Sequence, residues 1–151
     1  MPPVITTILV PVDFSAGSDA AVEWAQAIAA RFGAALVLLH VVDTTANALV
    51  GSPGGVLAPP PPPALYEELR EEARRALAEL GARAPGARTL LREGTPRTEI
   101  LAVAKEVGAD LIVMGTHGRT GLAHLLFGSV AEYVVRHAPV PVFTVRRPDP
   151  A

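Results

Sequence analysis

The chain has 151 residues, a formal net charge of -2, a hydrophobic half and no cysteine. That length suits one domain, residues 1–151, with a core large enough to stand without covalent staples. The missing cysteines exclude disulfides and thiolate metal sites, and the near-neutral charge argues against a nucleic-acid binder, which shows a basic excess.

The first residues, Met1-Pro2-Pro3-Val4, carry no basic n-region, and the apolar run after them stops at Asp13. That is far short of a membrane span, so no membrane partner and a cytoplasmic location are expected. Ile5 to Val12 is apolar and β-branched, which predicts a strand buried on both faces. Asp13-Phe14-Ser15-Ala16-Gly17-Ser18 is a loop with helix-capping candidates. Val22, Ala25, Ile28, Ala29 and Phe32 then fall on one helical face, with Gly33 as the stop. Ala35 to Val42 is a second strand. Together they make a βαβ unit, for which parallel pairing and a right-handed crossover are expected.

Residues 43–64 form an irregular Pro/Gly-rich insertion, with Gly51, Gly54, Gly55 and the run Pro59 to Pro63. Polyproline of this kind is an extended connector. Leu65 to Arg83 is an amphipathic helix with Leu65, Leu69, Ala73, Leu77 and Leu80 as its stripe. Its wet face includes Glu67, Glu68, Glu71 and Glu72. Arg88 to Arg92 is a short third strand. Thr95-Pro96 reads as an N-cap followed by an N1 proline, opening a helix that stops at Gly108. Leu111 to Met114 is a fourth strand, followed by a glycine-rich loop from Gly115 to Gly128. Ser129 to His137 is helical, and Val140 to Val145 is a last strand. Strands alternating with helices imply a doubly wound five-stranded α/β sheet.

In such sheets ligands sit beyond the carboxyl ends of the strands, where strand order reverses. Two strand ends carry unusual residues: Pro11-Val12-Asp13, and the loop running from Gly115 to Gly128-Ser129. A glycine at a helix start suits an anion, because the first-turn N–H groups are unpaired and the macrodipole favours negative charge. Each glycine alone is equally well a turn-former. Asp13 could serve as a loop cap, Met114 as core packing, and Ser129 with Glu132 as a capping box. Arg119 is a candidate to reach a phosphate, as is His117. His40 reads as a packed strand residue. No histidine pair has metal-ligand spacing.

The spacing Gly115-x₂-Gly118-x₉-Gly128-Ser129 resembles the nucleotide motif of the universal stress protein family. The text from Gly115 to Arg146 and the opening ILVPVDFS are similar to that family as well. The resemblance covers almost the whole chain and is weakest over residues 43–64. It implies a flavodoxin-like, adenine-nucleotide alpha hydrolase-like sheet of order 3-2-1-4-5, acting as an ATP-binding stress-response regulatory module. In the ATP-binding members the matching positions would divide the work. Asp13 would meet the ribose or adenine side, and the Val41 backbone the adenine edge. Pro11, Val12 and Met114 would supply apolar walls. Gly115, Gly118, Gly128, Ser129 and Val130 would hold phosphates, with the Ala131 N–H nearby. Any Mg²⁺ would be held by the ATP phosphates rather than by protein side chains. The resemblance also implies a homodimer through Val140 to Val145, an apolar strand at the sheet edge.

Other chemistries lack their signatures. The chain has no Gly-x₄-Gly-Lys-[Ser/Thr], no Gly-x-Gly-x-x-Gly after the first strand, and no Gly-x-Ser-x-Gly elbow. It has no obvious general base beyond Asp13 and His117. A slow ATPase and a nucleotide-independent dimeric interaction protein stand as alternatives to the regulatory module.

Overall fold

The computed structural model describes residues 1–45, 59, 61–117 and 127–146. Five strands, β1 (Thr7–Pro11), β2 (Ala35–Asp43), β3 (Arg88–Gly94), β4 (Leu111–Gly115) and β5 (Val142–Val145), alternate with four helices. These are α1 (Ala16–Phe32), α2 (Pro63–Ala82), α3 (Pro96–Glu106) and α4 (Ser129–His137). All the strands are parallel, in the order β3-β2-β1-β4-β5. The doubly wound sheet and the order 3-2-1-4-5 are as expected from the sequence.

The order follows from burial. Ile8, Leu9 and Val10 of β1, Leu38 and Leu39 of β2, and Ile112 and Val113 of β4 are fully buried. A strand whose two faces are both apolar must lie inside a sheet covered on both sides. One cover is α1 and α2, which pack Ala21, Val22, Ala25, Leu77 and Leu80 against Ile8, Val10, Leu38 and Val113. The other is α3 and α4, which pack Ile100, Val103, Ala131 and Val134 against Leu9, Leu39, Ile112 and Met114.

Several local devices fix the frame. Asp110, just before β4, accepts hydrogen bonds from the Thr6 amide and hydroxyl, both at 2.8 Å, and from the Thr7 amide at 3.1 Å. It ties the start of β4 to the start of β1, and those donors hold its carboxyl below the ordinary aspartate value. Gly33 ends α1 in the left-handed region at φ 66°, as a glycine at that place predicts. At the other end of β4, Gly115 lies against the first turn of α1. A Cβ there would stand 3.0 Å from the Gly17 carbonyl carbon and 3.1 Å from its oxygen.

The structure corrects some sequence expectations. Phe32 is 57% exposed, so the buried face of α1 is Ala21, Val22, Ala25 and Ala29 instead. Leu65 and Leu69 are 39% and 37% exposed, and only Ala73, Leu77 and Leu80 of the α2 stripe are buried. The last strand begins at Val142 rather than Val140. Pro141 still accepts from the Ile112 amide at 3.0 Å, but it has no N–H to give to a ladder. Most of the insertion at 43–64 lies outside the described residues.

Candidate functional site

Strand order reverses between β1 and β4, because β2 lies on one side of β1 and β4 on the other. A cavity of about 540 Å³ opens beyond the carboxyl ends of these strands. Ten of the twelve site residues expected from the sequence line it: Pro11, Val12, Asp13, Val41, Met114, Gly115, Gly128, Ser129, Val130 and Ala131. The other two, Gly118 and Arg119, lie outside the described residues, as do His124 and most of the glycine-rich loop.

The floor is built from strand ends. Pro11, Val12 and Met114 are buried, so they wall the cavity and pack the core at once. Asp13 is half-buried at the bend after β1, and its Oδ1 accepts from the Ser15 amide at 3.0 Å. Ser15 caps α1, its Oγ accepting from the Ser18 amide at 3.3 Å. The loop-capping job weighed for Asp13 is therefore real, and it coexists with a place on the cavity wall.

The far wall is the start of α4. Its N-cap is Gly128, in extended backbone at φ -71° and ψ 166°, and no side chain hydrogen-bonds this helix end. The capping box expected of Ser129 and Glu132 does not form. With Gly128 as cap, Ser129 is the first helical residue, which shifts Glu132 out of the N3 position a box requires. Glu132 pairs instead with Arg136 one turn on, at 2.9 Å. A helix leaves its first N–H groups without intrahelical partners. Here the amides of Ser129, Val130 and Ala131 occupy those positions, on residues that face the cavity. The Gly128 amide is used, donating to the Thr116 carbonyl at 2.6 Å.

Some contributors were not singled out by the sequence. Thr116 is buried after β4 and hydrogen-bonds the His117 Nδ1 through its hydroxyl at 3.0 Å. His40, read as a packed strand residue, lines the cavity and donates Nδ1–H to the Val12 carbonyl at 2.7 Å. Phe14 packs against it with the rings tilted, centroids 4.5 Å apart. Phe14 has φ 65°, a conformation a bulky residue seldom adopts and that costs on the order of 1–3 kcal/mol. From α2, Leu69, Glu72, Ala73 and Ala76 also reach the cavity, so Glu72 is not merely a solvated charge. Among the described residues, no group of three or more His, Asp or Glu converges as metal ligands would.

The arrangement can bind a flat apolar group against the strand ends and an anion at the α4 amides. The model of the universal stress protein family matches residues 5–146. The chain belongs to that family. It is 39% identical over 145 residues to a universal stress protein of Methanocaldococcus jannaschii, covering 93% of this chain and 82% of the relative. Among solved universal stress proteins, UspA of Lactobacillus plantarum superimposes with TM-score 0.78 at 34% identity, covering 96% of this chain and all of that one. A universal stress protein solved in complex with cAMP superimposes with TM-score 0.61 at 26% identity, covering 97% and 100%. No helix among the described residues is long and apolar enough to cross a membrane.

Proposed function

We propose that this universal stress protein binds an adenine nucleotide, ATP foremost, and acts as a stress-response regulatory module. The observation that carries the reading is the uncapped N-terminus of α4 standing on the wall of a cavity large enough for a nucleotide. An amide-lined helix end is an anion site, and an apolar floor of Val12, Val41 and Met114 beside it accepts a base. The cAMP complex of the relative supports the same ligand class.

In this reading the Val41 backbone meets the adenine edge and Asp13 meets the ribose or adenine side. The amides of Ser129, Val130 and Ala131 hold phosphate, with Gly115, Gly118 and Arg119 beside them. A Mg²⁺ ion is carried by the phosphates. Two chains associate through the last strand, where β5 is an outer strand of the sheet, Val142 to Val145 holds no charge and Phe143 is 38% exposed.

The test is calorimetry and thermal melting with ATP, ADP, AMP and GTP. ATP at one hundred times its dissociation constant stabilises by about 2.7 kcal/mol, a rise in melting temperature of about 5–11 °C for a chain of this size. Gly128→Val places a branched side chain at the helix mouth, in backbone that valine accepts. It is expected to abolish the rise. A wild-type chain that melts at the same temperature with and without ATP refutes the reading, as does an unchanged rise in the variant.

A further inference from the structure

The charged side chains among the described lining residues are the carboxylates Asp13, Asp43 and Glu72; neither lysine nor arginine is among them. A nucleotide tail adds negative charges to that surround. The α4 dipole offers only about half an elementary charge against them. Beyond Mg²⁺ and Arg119, a further cation can come from beside the lining.

Arg97 stands there. It follows the lining residue Pro96 in the first turn of α3. Carboxylates hold Arg70, Arg74, Arg92 and Arg136. Arg97 has no such pair among the described residues and rests on the face of Tyr133, 5.0 Å from the ring centroid. Tyr133 is one turn beyond Ser129 in α4. Helical side chains lean toward the N-terminus, so this ring covers the first turn, where Ser129 and Val130 face the cavity. His137 stacks on the same ring at 4.2 Å and holds it from the next turn. Arg97 thus stands beside Pro96, and Tyr133 one turn beyond Ser129, both of those neighbours lining the cavity, and rotamer changes along an arginine can carry its guanidinium several ångströms.

We infer that Arg97 is a phosphate-binding residue, which leaves Tyr133 to close on the outer phosphates of the bound nucleotide. This rests on the nucleotide reading of the cavity. An exposed cation–π contact is weak, whereas a guanidinium grips phosphate oxygens with two parallel charge-assisted bonds. The exchange therefore runs toward the nucleotide whenever a β- or γ-phosphate reaches past the α4 amides. Arg97 thereby makes the site sensitive to phosphate number, favouring ATP over AMP.

The experiment is calorimetry of the full chain with ATP and with AMP, for wild type, Arg97→Ala and Arg97→Lys. In Arg97→Ala the ATP dissociation constant is expected to rise about tenfold and that of AMP to stay within about twofold. Lysine restores part of the difference, since it keeps the charge without the planar fork. Arg97 is exposed and makes no core contact, so the melting temperature without ligand stays put. Equal changes for ATP and AMP, or none for either, overturn the inference while leaving the nucleotide site standing. A wild-type chain that binds neither removes the nucleotide reading itself, and this inference with it.

Discussion

Replacing Gly115 by alanine is expected to destabilise the fold by about 1–2 kcal/mol. The new methyl would lie 3.0 Å and 3.1 Å from the carbonyl carbon and oxygen of Gly17 and 3.3 Å from the Ser18 amide. Favourable carbon contacts begin near 3.5 Å, so all three are compressed. Each neighbour is backbone at the capped start of α1, and none can turn aside. Overpacking of this kind costs about 1–3 kcal/mol. The lower entropy of the unfolded alanine chain returns about 0.4–1 kcal/mol. In urea titration followed by circular dichroism, the midpoint should fall with the slope unchanged. The melting temperature should drop by about 2–8 °C. Gly81→Ala is the control. Its methyl would come nearer still, 2.9 Å from Thr89 Cγ2, but that is an exposed side chain able to shift. Gly81 also lies inside α2, where alanine is the better helix former by up to about 1 kcal/mol. Gly81→Ala should therefore be neutral or stabilising. A Gly115→Ala variant as stable as its parent, or a Gly81→Ala variant that loses more, refutes backbone crowding as the reason for glycine at 115.

Two further outcomes are expected. Asp110 has its carboxyl lowered by bonds from Thr6 and Thr7, so it adds stability above the ordinary aspartate value of about 3.9. That contribution is lost as pH falls through the lower folded-state value. Asp110→Ala should be less stable than wild type at pH 6, with the gap closing as acid titration proceeds; a gap constant across the acid range counts against the three bonds. Phe143→Glu places a charge on the exposed side of β5, where the Phe143 ring lies 5.5 Å from that of exposed Trp24. It is expected to shift the chain toward monomer in sedimentation, and an unaltered profile removes this surface from the association.

The elements most readable in the sequence were those set by local chemistry. Continuous apolar runs marked β1, β2 and β4, Thr95-Pro96 opened α3, and Gly33 and Gly108 stand in the left-handed region their places suggested. What escaped depended on distant partners. The periodicity of Leu65, Leu69, Ala73, Leu77 and Leu80 gave the inward side of α2, but not how far the sheet beneath it reaches. The first turns of α2 stand at the cavity, so Leu69 meets its wall rather than the core. Ser129 and Gly128 are both acceptable caps, and the bond from the Gly128 amide to the Thr116 carbonyl accompanies the choice of glycine. Gly115 stands among the glycines expected to hold phosphate; its contact with Gly17 adds a packing reason that spacing alone does not show. The Phe14–His40 pair joins residues 26 apart, beyond the reach of any local pattern.

The two outer strands are finished differently, and this limits how large an assembly can grow. On β3, Glu93 is engaged by Arg70 from α2 and Arg92 by Glu106 from α3 at 3.1 Å, so a newcomer strand would have to disturb ion pairs held from both layers. Among the described residues β5 carries no such ion pair. With one receptive margin and one guarded margin, adding strands head to tail into a fibre is disfavoured. Any joining through β5 uses up the receptive margin of both chains and stops at two.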